Sequence, residues 1–295
     1  MERESNVHFS VRIADTSRRY WYRYSSNPMS VLGLVLFLII IMCALFAPLL
    51  APYPKHAEAF VDVTNINQPP SLKHLFGTDK IGRDIFSRVI FGYRFSLMIA
   101  IMVLGISVPF GVVVGLIAGY YKGRWIDILL MRITDVFLAV PPLLLALMIT
   151  AVLEPNIMNA MLAITVMWWP LHARLLYGVT SSLSDEYFVI SAQVSGSSTI
   201  HILFKEILPN CIGPILTKVT LDVGWVILLG ATLSFVGLGI QPPKPGLGSM
   251  VADGAKFLPG VWWAVVFPAF AIVLVVLSCN LIGDGLHDVF AVEEV

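Results

Sequence analysis

Charged side chains in or beside the long apolar stretches are few, and three of them are best placed to do chemistry. Lys218 and Asp222 are four residues apart, so a helix would present both on one face. Asp135 lies at the edge of a different apolar stretch. Charges inside a membrane are costly and often belong to a route for solutes or ions. Two interpretations follow: these residues line a translocation path, or they form neutralised contacts between helices.

Recognisable motifs for catalysis, nucleotide binding and metal binding are missing from the sequence. No GxxxxGK[ST] loop occurs to cradle phosphates, and neither HExxH nor GxSxG is present. The six histidines are scattered through different segments, and the three cysteines form no CxxC pair. We therefore expect no catalytic residue, cofactor or metal site, and no ATP binding by that route.

A polar segment, Leu183–Asn210, predicts a short helix, a glycine break and a second helix. Ser184 can cap the first helix, whose first turn then carries two acidic residues that complement the helix dipole. Gly196 should end that helix, because glycine adopts positive φ without a Cβ penalty. Serines after the glycine can cap a second helix, which we expect to reach Leu208 and to end at Pro209.

The first of these two helices is predicted to be amphipathic. Tyr187, Ile190 and Val194 follow one another at i, i+3 and i+7 and so form one apolar stripe. A stripe of this kind outside the bilayer needs either a protein partner or the membrane surface to cover it.

Composition indicates an integral membrane protein. Hydrophobic residues make up 57% of the 295 residues, the mean hydropathy is +0.83, and charged residues make up 13%. An ordinary soluble domain carries about 25% charged residues. Lipid can face apolar side chains directly, which removes the need for a polar surface. Basic and acidic residues balance at 19 each, so no basic field suggests nucleic acid.

About six transmembrane helices are predicted, since a span needs roughly 20 apolar residues. Pro141 and Pro142 predict a break near the start of the third span, and Arg174, in the fourth, could reach an interface. A ridge of glycines at four-residue spacing in the second span (111, 115 and 119) favours close helix packing. The predicted spans are Ser30–Leu50, Leu97–Gly119, Val136–Leu153, Asn159–Tyr177, Ile215–Val236 and Val261–Ile282.

The distribution of basic residues predicts the orientation. Five arginines precede the first apolar stretch, which favours a cytoplasmic N-terminus. That stretch is too long for the apolar region of a cleaved signal peptide, so we expect it to remain as an anchor. The expected organisation is a cytoplasmic segment 1–29, a first span 30–50, a periplasmic insertion 51–93, a membrane core 94–284 with the cytoplasmic loop 183–210, and a cytoplasmic tail 285–295.

Four blocks of the sequence resemble the C-type permease subunits of bacterial dipeptide, oligopeptide and nickel ABC importers. Three are Phe76–Leu97 (FGTDKIGRDIFSRVIFGYRFSL), Ala231–Gly254 (ATLSFVGLGIQPPKPGLGSMVADG) and Asn280–Asp288 (NLIGDGLHD). The fourth, Glu186–Asn210, resembles the EAA loop through which such permeases dock on the ATPase. Its usual Glu-Ala-Ala reads Ile-Ser-Ala at 190–192, which weakens the expectation of a docking salt bridge, whereas the glycine and the terminal Leu-Pro are kept.

The resemblance implies an all-α permease of the type I ABC importer fold, working by alternating access in a bacterial plasma (inner) membrane. It implies no catalytic residue in this chain and four kinds of partner: a second, non-identical permease, two ATP-binding subunits (same or different), a periplasmic or lipid-anchored solute-binding protein, and membrane lipid. The solute would be a peptide, a glutathione-like compound, nickel or a metal chelate. The residues expected to serve ATPase coupling are Glu186, Tyr187, Ile190, Ser191, Ala192, Val194, Gly196, Leu208 and Pro209.

Two other classes of protein would explain the hydropathy. An ion-coupled secondary transporter or channel acting alone fits the apolar spans but leaves the amphipathic loop 183–210 without a purpose. A membrane-embedded enzyme is the third interpretation, and the sequence carries no recognisable catalytic cluster to support it. Neighbouring genes for a P-loop ATPase, a sister permease and a secreted binding protein would distinguish the importer from both.

Overall fold

The computed structural model describes residue 18 and residues 20–290, which are helical apart from short connections and one long insertion. The described residues contain no β-strand, only an isolated bridge between Thr78 and Asp84. The main helices are α1 Pro28–Leu45, α2 Ile85–Tyr120, α3 Trp125–Ala139, α4 Pro142–Val152, α5 Ile157–Leu183, α6 Tyr187–Val194, α7 Thr199–Val236, α8 Leu247–Ala255 and α9 Trp263–Phe290.

Helix α1 is shorter than the first predicted span. The side chain of Asn27 accepts a hydrogen bond from the Met29 N–H and caps the helix, with a proline at the first helical position. The helix ends at Leu45, and a separate helical turn, Ala47–Leu50, follows Phe46. The prediction of one continuous span to Leu50 is therefore wrong. Pro48 explains the interruption, because its ring would clash with the carbonyl four residues earlier.

Helix α2 begins at Ile85, well before the predicted start of the second span at Leu97. The Asp84 carboxylate accepts a hydrogen bond from the Ser87 N–H and so caps the helix. Basic residues in the first turns end the apolar run but do not oppose helix formation. With 36 residues the helix is about 54 Å long, so it extends beyond a hydrocarbon core of about 30 Å. The last part of segment 51–93 is therefore helical.

The predicted third span, Val136–Leu153, is not one helix. Helices α3 and α4 meet at an angle of 84°, with the break at Val140 and Pro141. Proline lacks an N–H group and disfavours helical backbone in the residue before it, which explains the break. The expected break at the two prolines is thus confirmed, but it separates two helices.

Helix α5 lies along α2, its most extensive neighbour. A Cβ atom added at Gly111 would lie 2.5 Å from the carbonyl oxygen of Trp169, and one at Gly115 would lie 2.5 Å from that of Ala173. Only glycine permits so close an approach of the two backbones, so the predicted packing role of the glycine ridge is confirmed.

Among the residues that the structure describes, four helices are long and apolar enough to cross a membrane: α1, α2, α7 and α9. The bent pair α3–α4 counts as a fifth if it forms one span. Helix α5, the expected fourth span, has 27 residues but is less apolar. Its neighbours bury side chains such as His172 and Thr180, so this helix does not need to be apolar all round. Of the six expected spans, the structure supports four to five by length and composition.

Candidate functional site

The segment between α5 and α7 has the expected helix–glycine–helix form, but its first cap differs from the prediction. Ser184 does not start α6; it ends α5, with helical backbone and its N–H donating to the Thr180 carbonyl. Glu186 occupies the N-cap of α6, and its side chain makes no capping hydrogen bond. The prediction failed because α5 runs on to Leu183 and uses the serine N–H itself.

Gly196 has φ +79°, a left-handed conformation that side-chain-bearing residues rarely adopt. A Cβ atom there would meet nothing within 4 Å, so backbone conformation alone requires glycine. After it, the Ser198 hydroxyl accepts a hydrogen bond from the His201 N–H and caps the next helix. Both predictions for this turn are confirmed.

The second helix does not end at Pro209, contrary to the prediction. Residues Ile202–Ile207 form a π-helical segment in which the Leu208 N–H donates to the Leu203 carbonyl, and the chain continues as helix to Val236. A π-segment widens the helix immediately before the proline, which relieves the clash of its ring with the preceding turn. The second helix of segment 183–210 is therefore continuous with a helix long and apolar enough to cross a membrane.

Helix α6 packs against the bundle with one face, and the apolar stripe of its other face is exposed. Val189 is fully buried in a small apolar cluster. Tyr187 and Val194 are 86% and 85% exposed, and Ile190 is 43% exposed. Two other expected coupling residues lie in α6: Ser191 is exposed and its carbonyl accepts a hydrogen bond from Ser195, and Ala192 packs against the cluster. In α7, Leu208 packs against the same cluster and Pro209 is exposed. The cluster comprises Val112, Leu116, Leu176, Val189, Ile202, Leu203, Ile207 and Cys211.

Lys218 and Asp222 form an ion pair, and the structure adds His172 from α5. The Lys218 Nζ lies 2.6 Å from the Asp222 Oδ1, and Asp222 is fully buried. The His172 Nε2 lies 3.3 Å from the Asp222 Oδ2, although no hydrogen bond joins them and both ring nitrogens are buried without a partner. The sequence showed only the i, i+4 pair, because His172 is distant in the chain. This cluster ties α5 to α7.

Asp135 does not join that cluster. Its carboxylate forms an ion pair with the guanidinium of Arg174, and both side chains are 44% exposed. This pair links α3 to α5, so Arg174 has a protein partner and does not merely extend to an interface. The charged residues singled out in the spans therefore belong to two separate contacts, one between α3 and α5 and one between α5 and α7.

A buried polar network, missed by the sequence analysis, fixes the insertion to the start of α2. The His74 Nδ1 lies 2.9 Å from the Asp84 carboxylate, and the Asp84 N–H donates to the His56 Nδ1 at 2.8 Å. The Arg88 guanidinium donates to the His56 carbonyl at 3.0 Å. Burial lowers the pKa of His56, and the neighbouring Asp84 opposes that shift. The ring is therefore held as a neutral acceptor.

The same region brings two of the resembling sequence blocks together. Lys80 Nζ lies 2.7 Å from the Asp253 carboxylate, which joins the insertion to α8. The Trp263 indole N–H donates to the Thr78 carbonyl at 3.2 Å, and Gly77 has φ +73° beside that indole. The closely spaced charges of the first block were the signal available in the sequence: Lys80 pairs across the fold with Asp253, whereas Asp79 and Arg83 pair with each other. The blocks thus form a structural joint.

No group of three or more histidine, cysteine, aspartate or glutamate side chains is placed to hold a metal ion within the part of the chain described. What the arrangement provides is a helical bundle, an uncovered apolar helix at one end and a polar joint around the long insertion. These features define a polytopic membrane protein with an exposed apolar stripe on α6.

Comparison with known proteins identifies the family. Residues 111–292 match the family described as binding-protein-dependent transport system inner membrane component, and residues 16–70 match the N-terminal transmembrane domain of oligopeptide transport permease C. The chain belongs to this family of ABC importer permeases. It is a membrane-spanning permease component of a binding-protein-dependent importer, and the family is not itself the ATPase.

Relatives cover nearly the whole chain. A dipeptide transport system permease protein of Alkalihalophilus pseudofirmus is 42% identical over 92% of this chain and 88% of its own length. A di/tripeptide transport system permease protein of Pseudomonas aeruginosa is 38% identical over 92% and 90%, respectively. A glutathione transport system permease protein of Escherichia coli is 41% identical over 91% and 88%. The resemblance stated from the sequence is confirmed.

Proposed function

We propose that this chain is the C-type permease subunit of a peptide importer and forms half of its pathway. The relatives named for dipeptides, di/tripeptides and glutathione support a short peptide or a similar small solute. The proposed partners are a second, non-identical permease, two ATP-binding subunits and a solute-binding protein outside the membrane. Nickel and metal chelates are the alternative solutes. Uptake of a radiolabelled dipeptide and uptake of nickel, measured separately with the assembled complex, distinguish them.

The proposed orientation places the N-terminus and residues 183–210 in the cytoplasm and residues 51–84 outside. The arginines that precede α1 support it. Single cysteines replacing Ser71 and Ser198, in a background without the three native cysteines, test it with an impermeant thiol reagent on intact cells. We expect labelling at position 71 and not at 198, and the reverse pattern would overturn the orientation.

The observation that carries the coupling role is the position of α6. Val189 and Ala192 pack the helix against the bundle, while Tyr187 and Val194 face away from it and are 86% and 85% exposed. Burial of apolar side chains is favourable by about 25 cal/mol per Å², so a partner groove would gain several kcal/mol by covering this stripe. An ATP-binding subunit that moves this helix would also move α7, because one short turn at Gly196 joins the two helices and Val189 packs in the same cluster as Ile202 and Ile207.

Substitution of the stripe tests docking. Tyr187→Ser and Val194→Ser remove apolar surface that contacts nothing else extensively, so the chain should reach normal abundance and stay inserted. We expect the ATP-binding subunits to stop copurifying with it and ATP-driven uptake to fall. Val63→Ser is the matched control, since Val63 is 75% exposed in the insertion, and it should leave the complex intact. Full ATPase association by the double stripe variant would refute the docking assignment.

The turn at Gly196 tests transmission. Gly196→Val forces a β-branched residue into a left-handed backbone conformation and should misdirect α6 relative to α7. Gly178→Val is the control, because a Cβ atom at Gly178 also meets nothing within 4 Å but its backbone is helical. We expect only the first variant to lose ATP-coupled uptake while solute binding by the separate binding protein is unchanged. Normal uptake by Gly196→Val would contradict the assignment.

A further inference from the structure

An apolar groove of about 640 Å³ lies between α1, α2 and α7, and none of its lining residues belongs to α6. Twelve of its thirteen lining residues are apolar, among them Phe37, Ile101 and Val223. The thirteenth is Arg94, which is exposed and lies in the first turns of α2. A groove with one basic residue and otherwise apolar walls has two chemically different parts.

Arg94 lies at one end of the groove. On α1 the lining residues run from Phe37 to Leu45, and on α2 they run from Arg94 to Leu104. The insertion connects the C-terminal end of α1 to the N-terminal end of α2. Leu45 and Arg94 therefore lie at the same end of the groove, the end nearest the insertion. Ten helical residues from Arg94 to Leu104 cover about 15 Å. Half of a hydrocarbon core about 30 Å thick is the same length.

We propose that this groove binds an anionic phospholipid, with its phosphate at Arg94 and one acyl chain along the apolar walls. A guanidinium can donate two parallel hydrogen bonds to one phosphate, which the ammonium group of a lysine cannot do with the same geometry. In the part of the chain described, Arg94 pairs with no carboxylate; its guanidinium lies 6.0 Å from the centre of the Phe91 ring. The charge is therefore available to the lipid, which occupies the leaflet on the side of the insertion.

The shape of the groove favours an acyl chain over a protein helix or the transported peptide. The stretch of α2 that lines the groove covers about 15 Å, which matches one acyl chain in one leaflet, whereas a transmembrane helix of a partner would run through the whole core of about 30 Å. A peptide would bring backbone N–H and carbonyl groups against walls that offer them no hydrogen-bond partner. An acyl chain needs no polar partner and ends at the headgroup, where Arg94 lies.

Lipid retention tests the proposal. The full-length chain, with the subunits that copurify, is reconstituted in equal amounts of phosphatidylglycerol and phosphatidylcholine, and the lipids that remain bound after detergent extraction are measured by native mass spectrometry. We expect phosphatidylglycerol to be enriched about fivefold, the ratio that one basic residue contributes to anionic lipid attraction at a membrane surface. Arg94→Gln should abolish the enrichment, Arg94→Lys should keep part of it, and excess inorganic phosphate should not displace the lipid.

A second variant tests the acyl-chain part separately. Ile101→Trp places a bulky side chain in the groove at a residue that is 70% exposed, so the fold should tolerate it, and bound lipid should fall for both headgroups. Ile106→Trp on the same helix, 56% exposed but outside the groove, is the control and should retain lipid as the unmodified chain does. Equal retention of the two lipids by the unmodified chain would overturn the proposal. Loss of a partner subunit by Ile101→Trp with lipid unchanged would also overturn it.

Discussion

Substitution of Lys218 by methionine should destabilise the folded bundle because it leaves a buried carboxylate without its cation. Asp222 is fully buried and its Oδ1 lies 2.6 Å from the Lys218 Nζ. The second oxygen of the carboxylate has no hydrogen-bond partner, so His172 does not take over the role of the lysine in this arrangement. Removal of one partner of a buried ion pair typically costs about 3–5 kcal/mol.

The structure places this substitution at the low end of that range. The Lys218 side chain is 32% exposed, so the protein encloses the ion pair only in part, and we expect a loss of about 3 kcal/mol in the free energy of unfolding. The double variant Lys218→Met, Asp222→Leu removes both charges and keeps apolar volume in the helix contact. It should be within about 1 kcal/mol of the unmodified chain, because the desolvation cost of the pair disappears together with its attraction.

The assay is equilibrium unfolding by dodecyl sulfate in mixed micelles, followed by circular dichroism, for the two single variants, the double variant and a control. Lys205→Met is the control: this exposed lysine lies in the same helix and has no ion pair in the described chain, so its effect should be within about 0.5 kcal/mol. A double variant as unstable as Lys218→Met would refute the reasoning, since the loss would then come from packing and not from an unpaired charge.

Two further predictions concern helix packing and acidity. Gly111→Ala should cost about 1–3 kcal/mol, because its Cβ atom would lie 2.5 Å from a backbone carbonyl of α5, whereas Gly105→Ala meets nothing within 4 Å and should be neutral or slightly stabilising by the same unfolding assay. For the insertion, burial lowers the pKa of His56 below its usual value of about 6.5, so the folded state binds fewer protons and stability should fall as the pH drops below about 6.5. His56→Asn keeps an acceptor for the Asp84 N–H but does not titrate. The rate of limited proteolysis of residues 51–84, measured between pH 7.5 and pH 5, should then no longer depend on pH. An unchanged pH profile in this variant would contradict the role of His56.

Local signals in the sequence predicted most of the helices and the exposed apolar stripe of α6. Long apolar runs predicted the spans because lipid accepts apolar surface directly, and the i, i+3, i+7 spacing of Tyr187, Ile190 and Val194 predicted the stripe that lies exposed. Glycine at 196 predicted the positive φ of the turn. Each of these depends on residues within two or three helical turns, where the backbone geometry is already known.

Helix ends were predicted less well, because caps and prolines depend on what precedes them. Ser184 suits an N-cap by residue type, but α5 extends to Leu183 and makes it a C-cap. Pro209 suits a helix end, but the π-segment before it accommodates the ring and lets α7 continue. A single-residue preference is worth about 1 kcal/mol, which continuing hydrogen bonds and packing readily exceed.

Contacts between distant parts of the chain were decided by the tertiary structure alone. The i, i+4 spacing of Lys218 and Asp222 predicted their pairing, but only the packing of α5 on α7 brings His172 to the same carboxylate. The joint between the insertion and α8, through Lys80 and Asp253, likewise needs both segments folded. Periodicity identifies which face of a helix is apolar. The residues that cover this face depend on how all the helices pack together, and the spacing of residues along one helix does not determine that packing.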